Sequence, residues 1–82
     1  MTEKILIVDD EPEMLQTLSR ILSRKGYAVY TAEGGKEACK AMEETVFDLV
    51  ISDMAMEDLN GLELLKIVRS SDSTTPFIIL TG

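Results

Sequence analysis

The 82-residue chain contains no histidine, no tryptophan and a single cysteine, Cys39. Without histidine there is no Ser-His-Asp or Cys-His nucleophile and no His-ligated zinc. One thiol closes no intramolecular disulfide and builds no cysteine metal cluster. Basic residues are scarce as well: 8 Lys and Arg stand against 15 Asp and Glu, a formal net charge of −7. No group of Lys or Arg offers the positive face that neutralising phosphates requires, which argues against direct contact with DNA, RNA or anionic lipid. No apolar run approaches the ~18 residues of a membrane span. Met1-Thr2-Glu3-Lys4 leads into an apolar run too short and wrongly flanked for a signal peptide, so a soluble, cytoplasmic protein is expected. With 45% hydrophobic and 28% charged residues, five Gly and two Pro, the composition is that of an ordinary globular domain, with room for one domain at most.

Four strand-length runs stand out: Ile5-Leu6-Ile7-Val8, Tyr27-Ala28-Val29-Tyr30, Leu49-Val50-Ile51 and Phe77-Ile78-Ile79-Leu80. The first, third and fourth are continuous rather than alternating, the pattern of parallel strands covered on both faces in the middle of a sheet. Helical spacing fills the intervals. Met14, Leu15, Leu18, Ile21 and Leu22 form one face of a helix from Pro12 to Lys25, with Pro at its start, Gly26 as its stop and cations in its last turns. Ala38, Cys39, Ala41 and Met42 mark a second helix over Lys36–Glu44, after the Gly34-Gly35 turn; Cys39 is expected on its buried face. Leu62, Leu65 and Val68 mark a third over Gly61–Arg69, with Asn60 and Glu63 spaced as a capping pair. A polar loop, Ser70 to Pro76, follows. The β-α-β-α-β-α-β order calls for an α/β fold: an open parallel sheet, right-handed crossovers and helices on both faces.

Ligands of open parallel sheets bind beyond the carboxyl ends of the strands, where strand order reverses. The first strand ends in Asp9-Asp10-Glu11, the third in Asp53 and the fourth in Thr81. If the first and third strands are neighbours, three aspartates converge at one mouth, and their repulsion calls for a proton, a lysine or a cation. Few hard oxygen ligands with space for water describe Mg2+ better than Ca2+. The blander reading makes Asp9 and Asp10 caps of the first helix. Glu13, Glu33, Glu37, Glu43, Glu44 and Asp72 read as solvated faces, and Met14, Met42, Met54 and Met56 as packing residues.

The segments ILIVDDEP at 5–12, DLVISDMAMEDLNG at 48–61 and PFIILTG at 76–82 resemble the phosphoacceptor receiver domain of bacterial two-component response regulators. The resemblance implies a flavodoxin-like receiver fold, strand order 2-1-3-4, with residues 1–82 as the N-terminal portion of one receiver domain truncated after the fourth strand. It implies that Asp53 accepts a phosphoryl group from a sensor histidine kinase. Asp10 then binds Mg2+ directly, Asp9 through water and Ala55 through its backbone carbonyl. Thr81 is the switch hydroxyl, and Gly61 is the glycine after the active-site loop. An attached output domain, transcriptional in type, is the implied target.

Two departures stand beside the resemblance. Glu57 occupies the place where proline is common. The family's lysine at the end of its fifth strand falls beyond Gly82, and none of Lys4, Lys36, Lys40 or Lys66 sits at a strand's carboxyl end. Impaired phosphorylation of this chain alone, and a homo-oligomer through the open fourth strand, are the resulting expectations. The alternatives are a binding platform that does not use Asp53 and a Mg2+-dependent aspartyl-nucleophile phosphatase. The phosphatase is disfavoured because Asp9 and Asp10 are adjacent rather than one residue apart.

Overall fold

The computed structural model describes residues 2–71 and 74–81. The expectations resting on Asp72 and Gly82 lie outside the described residues. Seven elements follow in the expected order: β1 (Lys4–Val8), α1 (Pro12–Arg24), β2 (Ala28–Ala32), α2 (Gly35–Glu44), β3 (Leu49–Asp53), α3 (Gly61–Ser70) and β4 (Phe77–Leu80). All pairings are parallel and the sheet order is β2-β1-β3-β4. The α1 crossover steps from β1 outward to β2, whereas the α2 crossover passes back over β1 to β3. Crossovers of one hand running in opposite directions place α1 on one face and α2 and α3 on the other.

That split divides the core. Ile5, Ile7 and Leu15 form one buried cluster, with Leu18, Leu22, Val29 and Ile51 packed around it. Leu6, Val8, Val50, Leu64, Val68, Ala38, Phe47 and Met56 belong to the other. Successive β1 residues therefore bury on opposite faces, which is why this strand reads as a continuous apolar run. Fully burying side chains such as Leu6 or Leu64 contributes about 1.5–3 kcal/mol each.

Several local expectations are corrected. β2 starts at Ala28 and runs on to Ala32, because its register follows Lys4 to Val8 of β1. The helices shift by a residue at one end: α1 stops at Arg24, α2 starts at Gly35 and α3 continues to Ser70. The α3 core stripe is Gly61, Leu64 and Val68, while Leu62 is 43% exposed; with Gly61 against the sheet, the positions three and seven residues on share its face. Met14 and Ile21 lie on the solvent side of α1, at 42% and 47% exposure. Cys39, as expected, lies on the core-facing side of α2, half-buried against the cluster. β4 stands at the end of the expected order 2-1-3-4 and pairs only with β3 among the described residues; of its continuous apolar run, Ile78 and Leu80 are 46% and 42% exposed rather than covered.

Candidate metal and phosphoacceptor site

Strand order reverses between β1 and β3, so the carboxyl ends of these neighbours flank the crevice of the sheet. Their register pairs Val8 with Ser52, which sets Asp9 opposite Asp53. Asp9 extends the β1–β2 ladder by one rung through its N–H to the Ala32 carbonyl (3.1 Å). Asp53 is the last residue of β3 and half-buried; Asp9 is buried and Asp10 exposed. One carboxylate oxygen from each of Asp9, Asp10 and Asp53 lies within 4.8 Å of the others.

Neither Asp9 nor Asp10 caps α1. The N-cap is Glu11, which makes no side-chain cap bond. Asp9 Oδ1 instead accepts the Glu11 N–H at 2.9 Å, a local bond that orients one oxygen and leaves the other available. Burial pushes the Asp9 carboxyl up, and the charges of Asp53 and Asp10 add to this against the lowering effect of the Glu11 amide. A buried carboxylate facing two others is the electrostatic condition that a hard divalent cation relieves, and the all-oxygen donor set suits Mg2+. The residues present therefore fit that ion.

The β3–α3 loop covers the crevice. The Met54 N–H donates to the Leu80 carbonyl (3.0 Å) and the Gly61 N–H to the Met54 carbonyl (2.9 Å), pinning both ends of the loop. A Cβ on Gly61 would stand 2.7 Å from the Asp53 carbonyl oxygen, so only glycine permits this approach. Ala55 is exposed above Asp53, and its N–H reaches Asp53 Oδ1 over a long 3.4 Å. Asn60 and Glu63 form the expected capping box on α3: Asn60 Oδ1 accepts from Glu63 N at 2.8 Å, and Glu63 Oε1 from Asn60 N at 3.0 Å. Leu80 pairs with Asp53, so Thr81, one residue on and exposed, stands at the same carboxyl edge.

The structure thus brings Asp9, Asp10 and Asp53 together and places Ala55, Gly61 and Thr81 around them. Two features escaped the sequence reading. Lys36, on the first turn of α2, lines a hollow of about 340 Å³ that also touches Asp10, Glu57 and Asp58. Asp58 caps α2 from the β3–α3 loop, with Gly35 N and Lys36 N each 3.0 Å from its oxygens. The Gly34-Gly35 doublet at the start of α2 was the available signal for such a close approach.

Residues 5–82 match the family model of the response regulator receiver domain. The chain is 39% identical over 78 residues to the transcriptional regulatory protein GlrR of Escherichia coli K12, covering 95% of this chain and 18% of that protein. It is 40% identical over 82 residues to the alkaline phosphatase synthesis transcriptional regulatory protein PhoP of Bacillus subtilis, covering all of this chain and 34% of that one. The chain therefore spans about a third or less of the length of these curated relatives. Among solved structures it is similar to the chemotaxis protein CheY4 of Vibrio cholerae, with TM-score 0.93, 36% identity and coverage of 96% of this chain and 68% of the other. It is also similar to TrrA of Thermotoga maritima, solved in complex with Mg2+-BeF, with TM-score 0.92, 39% identity and coverage of 98% and 70%.

Proposed function

Because the chain belongs to the response regulator receiver domain family of two-component systems, we propose that it is a phosphorylation-dependent switch in which Asp53 accepts a phosphoryl group. The observation that carries this reading is the meeting of Asp9, Asp10 and Asp53 within 4.8 Å at the strand-order reversal. Asp10 and Asp53 would hold Mg2+ directly, Asp9 through water, and Ala55 through its carbonyl. Bound there, Mg2+ supplies charge neutralisation for a carboxylate attacking an already anionic phosphoryl group. An Asp53 oxygen forms the new O–P bond as the bond from phosphorus to the donor nitrogen of a histidine kinase breaks, the electron pair leaving on that nitrogen. Thr81, at the same edge, donates its hydroxyl to a phosphoryl oxygen, which turns a local gain of charge into movement of the β4 end.

The chain's role is regulatory rather than catalytic. Its partners are a sensor histidine kinase and an attached transcriptional output domain in the cytoplasm, by analogy with the transcriptional regulators it matches. A second copy of the chain along β4 is a further partner, supported by the pairing of β4 with β3 alone among the described residues. No described helix is long and apolar enough to cross a membrane.

Titration with beryllofluoride in Mg2+ of a chain extended through the family's fifth strand and its lysine, followed by amide NMR, tests the switch, prompted by the Mg2+-BeF complex of TrrA; this chain alone is expected to respond more weakly. Mg2+-dependent shifts at Asp53, Ala55 and Thr81 are expected. Silence at all of them would favour a binding platform that does not use Asp53.

A further inference from the structure

Helix α2 lacks a cap of its own. Its N-cap is Gly34, which has no side chain to accept an amide. The exposed ends of its first turn are satisfied from the β3–α3 loop instead: Gly35 N donates to Asp58 Oδ1 and Lys36 N to Asp58 Oδ2, both at 3.0 Å, while Leu59 N also donates to Oδ1 at 2.7 Å. The surrounding residues are built for this contact. A Cβ on Gly34 would lie 3.0 Å from both Asp58 oxygens, and one on Gly35 would lie 2.6 Å from Leu59 Cβ. The Lys36 and Gly35 amides hold the Asp58 carboxyl below its ordinary range.

The same loop carries Ala55. Met54 N ties it to the Leu80 carbonyl and Gly61 N closes it onto the Met54 carbonyl, Met56 is sunk into the core, and Asp58 fixes its outer part to α2. Only Met56 and Glu57 separate Asp58 from Ala55, whose N–H lies 3.4 Å from Asp53 Oδ1. We propose that Asp58 is a positioning residue whose cap on α2 couples divalent-cation binding at Asp9, Asp10 and Asp53 to the ordering of the first turn of α2. The proposal rests on the reading of the aspartate trio as a Mg2+ site. It makes the α2 N-terminal surface, with Glu33, Lys36 and Glu37, a second output of that site, separate from Thr81. Coupling of this kind is reciprocal: whatever loosens the cap weakens the ion, and the ion tightens the cap.

The test compares the full chain as wild type, D58A, D58N and the double variant G34S/D58A, measuring Mg2+ affinity by calorimetry and exchange of the Gly35 and Lys36 amides with and without Mg2+. The hydroxyl introduced by G34S can cap α2 locally, since the extended backbone there accepts any residue, but it leaves the loop untied. The expected result is Mg2+ affinity about 5-fold weaker or more in D58A. In G34S/D58A the melting temperature recovers but the affinity does not, and D58N, which keeps one acceptor oxygen, falls between. Wild-type Gly35 and Lys36 amides exchange more slowly in Mg2+, and in the double variant they do not respond. A double variant that binds Mg2+ as tightly as wild type, or wild-type amides indifferent to Mg2+, overturns the coupling alone. A wild type that binds no Mg2+ overturns the metal site itself, and the coupling with it. Should D58A fail to fold, D58N and the double variant give the same decision.

Discussion

Asp53→Asn should stabilise the metal-free chain and remove most of its response to Mg2+. The three carboxylates present oxygens within 4.8 Å of one another. Coulomb's law at that separation gives about 0.9 kcal/mol per pair in water and about 3.5 at an effective dielectric of 20. The aqueous end applies to the pair with exposed Asp10 and is a floor for the pair with buried Asp9. Asp9 and Asp10 stay adjacent in the unfolded chain, whereas Asp53 meets them only on folding, so D53N relieves two pairs and gains about 2 kcal/mol. In a domain of this size that raises the melting temperature by roughly 10 °C in EDTA. The bond from Ala55 N survives, since the Asn carbonyl accepts it equally. Saturating Mg2+ at a hundred times its dissociation constant stabilises wild type by ~2.7 kcal/mol, so the order of the two proteins narrows or reverses when the ion is added. Thermal melts read by circular dichroism, in EDTA and across a Mg2+ series, decide it. The advantage of D53N should also shrink in high salt, which screens the repulsion. A D53N protein no more stable than wild type in EDTA, or stabilised by Mg2+ to the same extent, would refute the reasoning.

Four further outcomes follow from the same geometry. Burial, with Asp53 and Asp10, raises the Asp9 pKa, so the folded state holds that proton to higher pH than the unfolded chain. The metal-free protein therefore gains stability as pH falls into the raised range and loses it as pH rises through it; melts of wild type against D9N across the acidic range should show this difference, and Mg2+ should flatten it. Asn60→Ala removes the α3 capping box and should cost about 1 kcal/mol in chemical denaturation. Gly61→Ala forces a Cβ to within 2.7 Å of the Asp53 carbonyl oxygen; a loss of about 1–3 kcal/mol should accompany weaker Mg2+ binding in calorimetry. The Cys39 thiol is pushed up by burial, Glu43 and Asp58, so its alkylation by iodoacetamide at neutral pH should be slower than that of a free thiol, and should approach the free rate in denaturant.

Much of this protein is legible one residue at a time. The apolar runs of β1 and β3, the Leu15–Leu18–Leu22 part of the α1 stripe and the Asn60–Glu63 box depend on local spacing, and local spacing is what a sequence displays directly. Carboxylates at the ends of apolar runs also reveal themselves, because the topological rule for open sheets says where strand ends point. The α3 stripe is not legible in this way, because Leu62, Leu64 and Leu65 are chemically alike, and only the docking of Gly61 against the sheet decides that Leu64 turns inward. Nor is the exposure of Ile78 and Leu80 on β4, since a continuous apolar run does not say which of its faces is covered.

The order of elements, the excess of acid, the absence of histidine chemistry and the identity of the three aspartates are properties of the chain alone, since covalent order and local periodicity determine them. That those aspartates face one another, and that Asp58 reaches back to hold the start of α2, are decided by tertiary structure. Such contacts join residues far apart along the chain, and their distances exist only once β3 has inserted beside β1 and the β3–α3 loop has settled on the glycine pair at the start of α2.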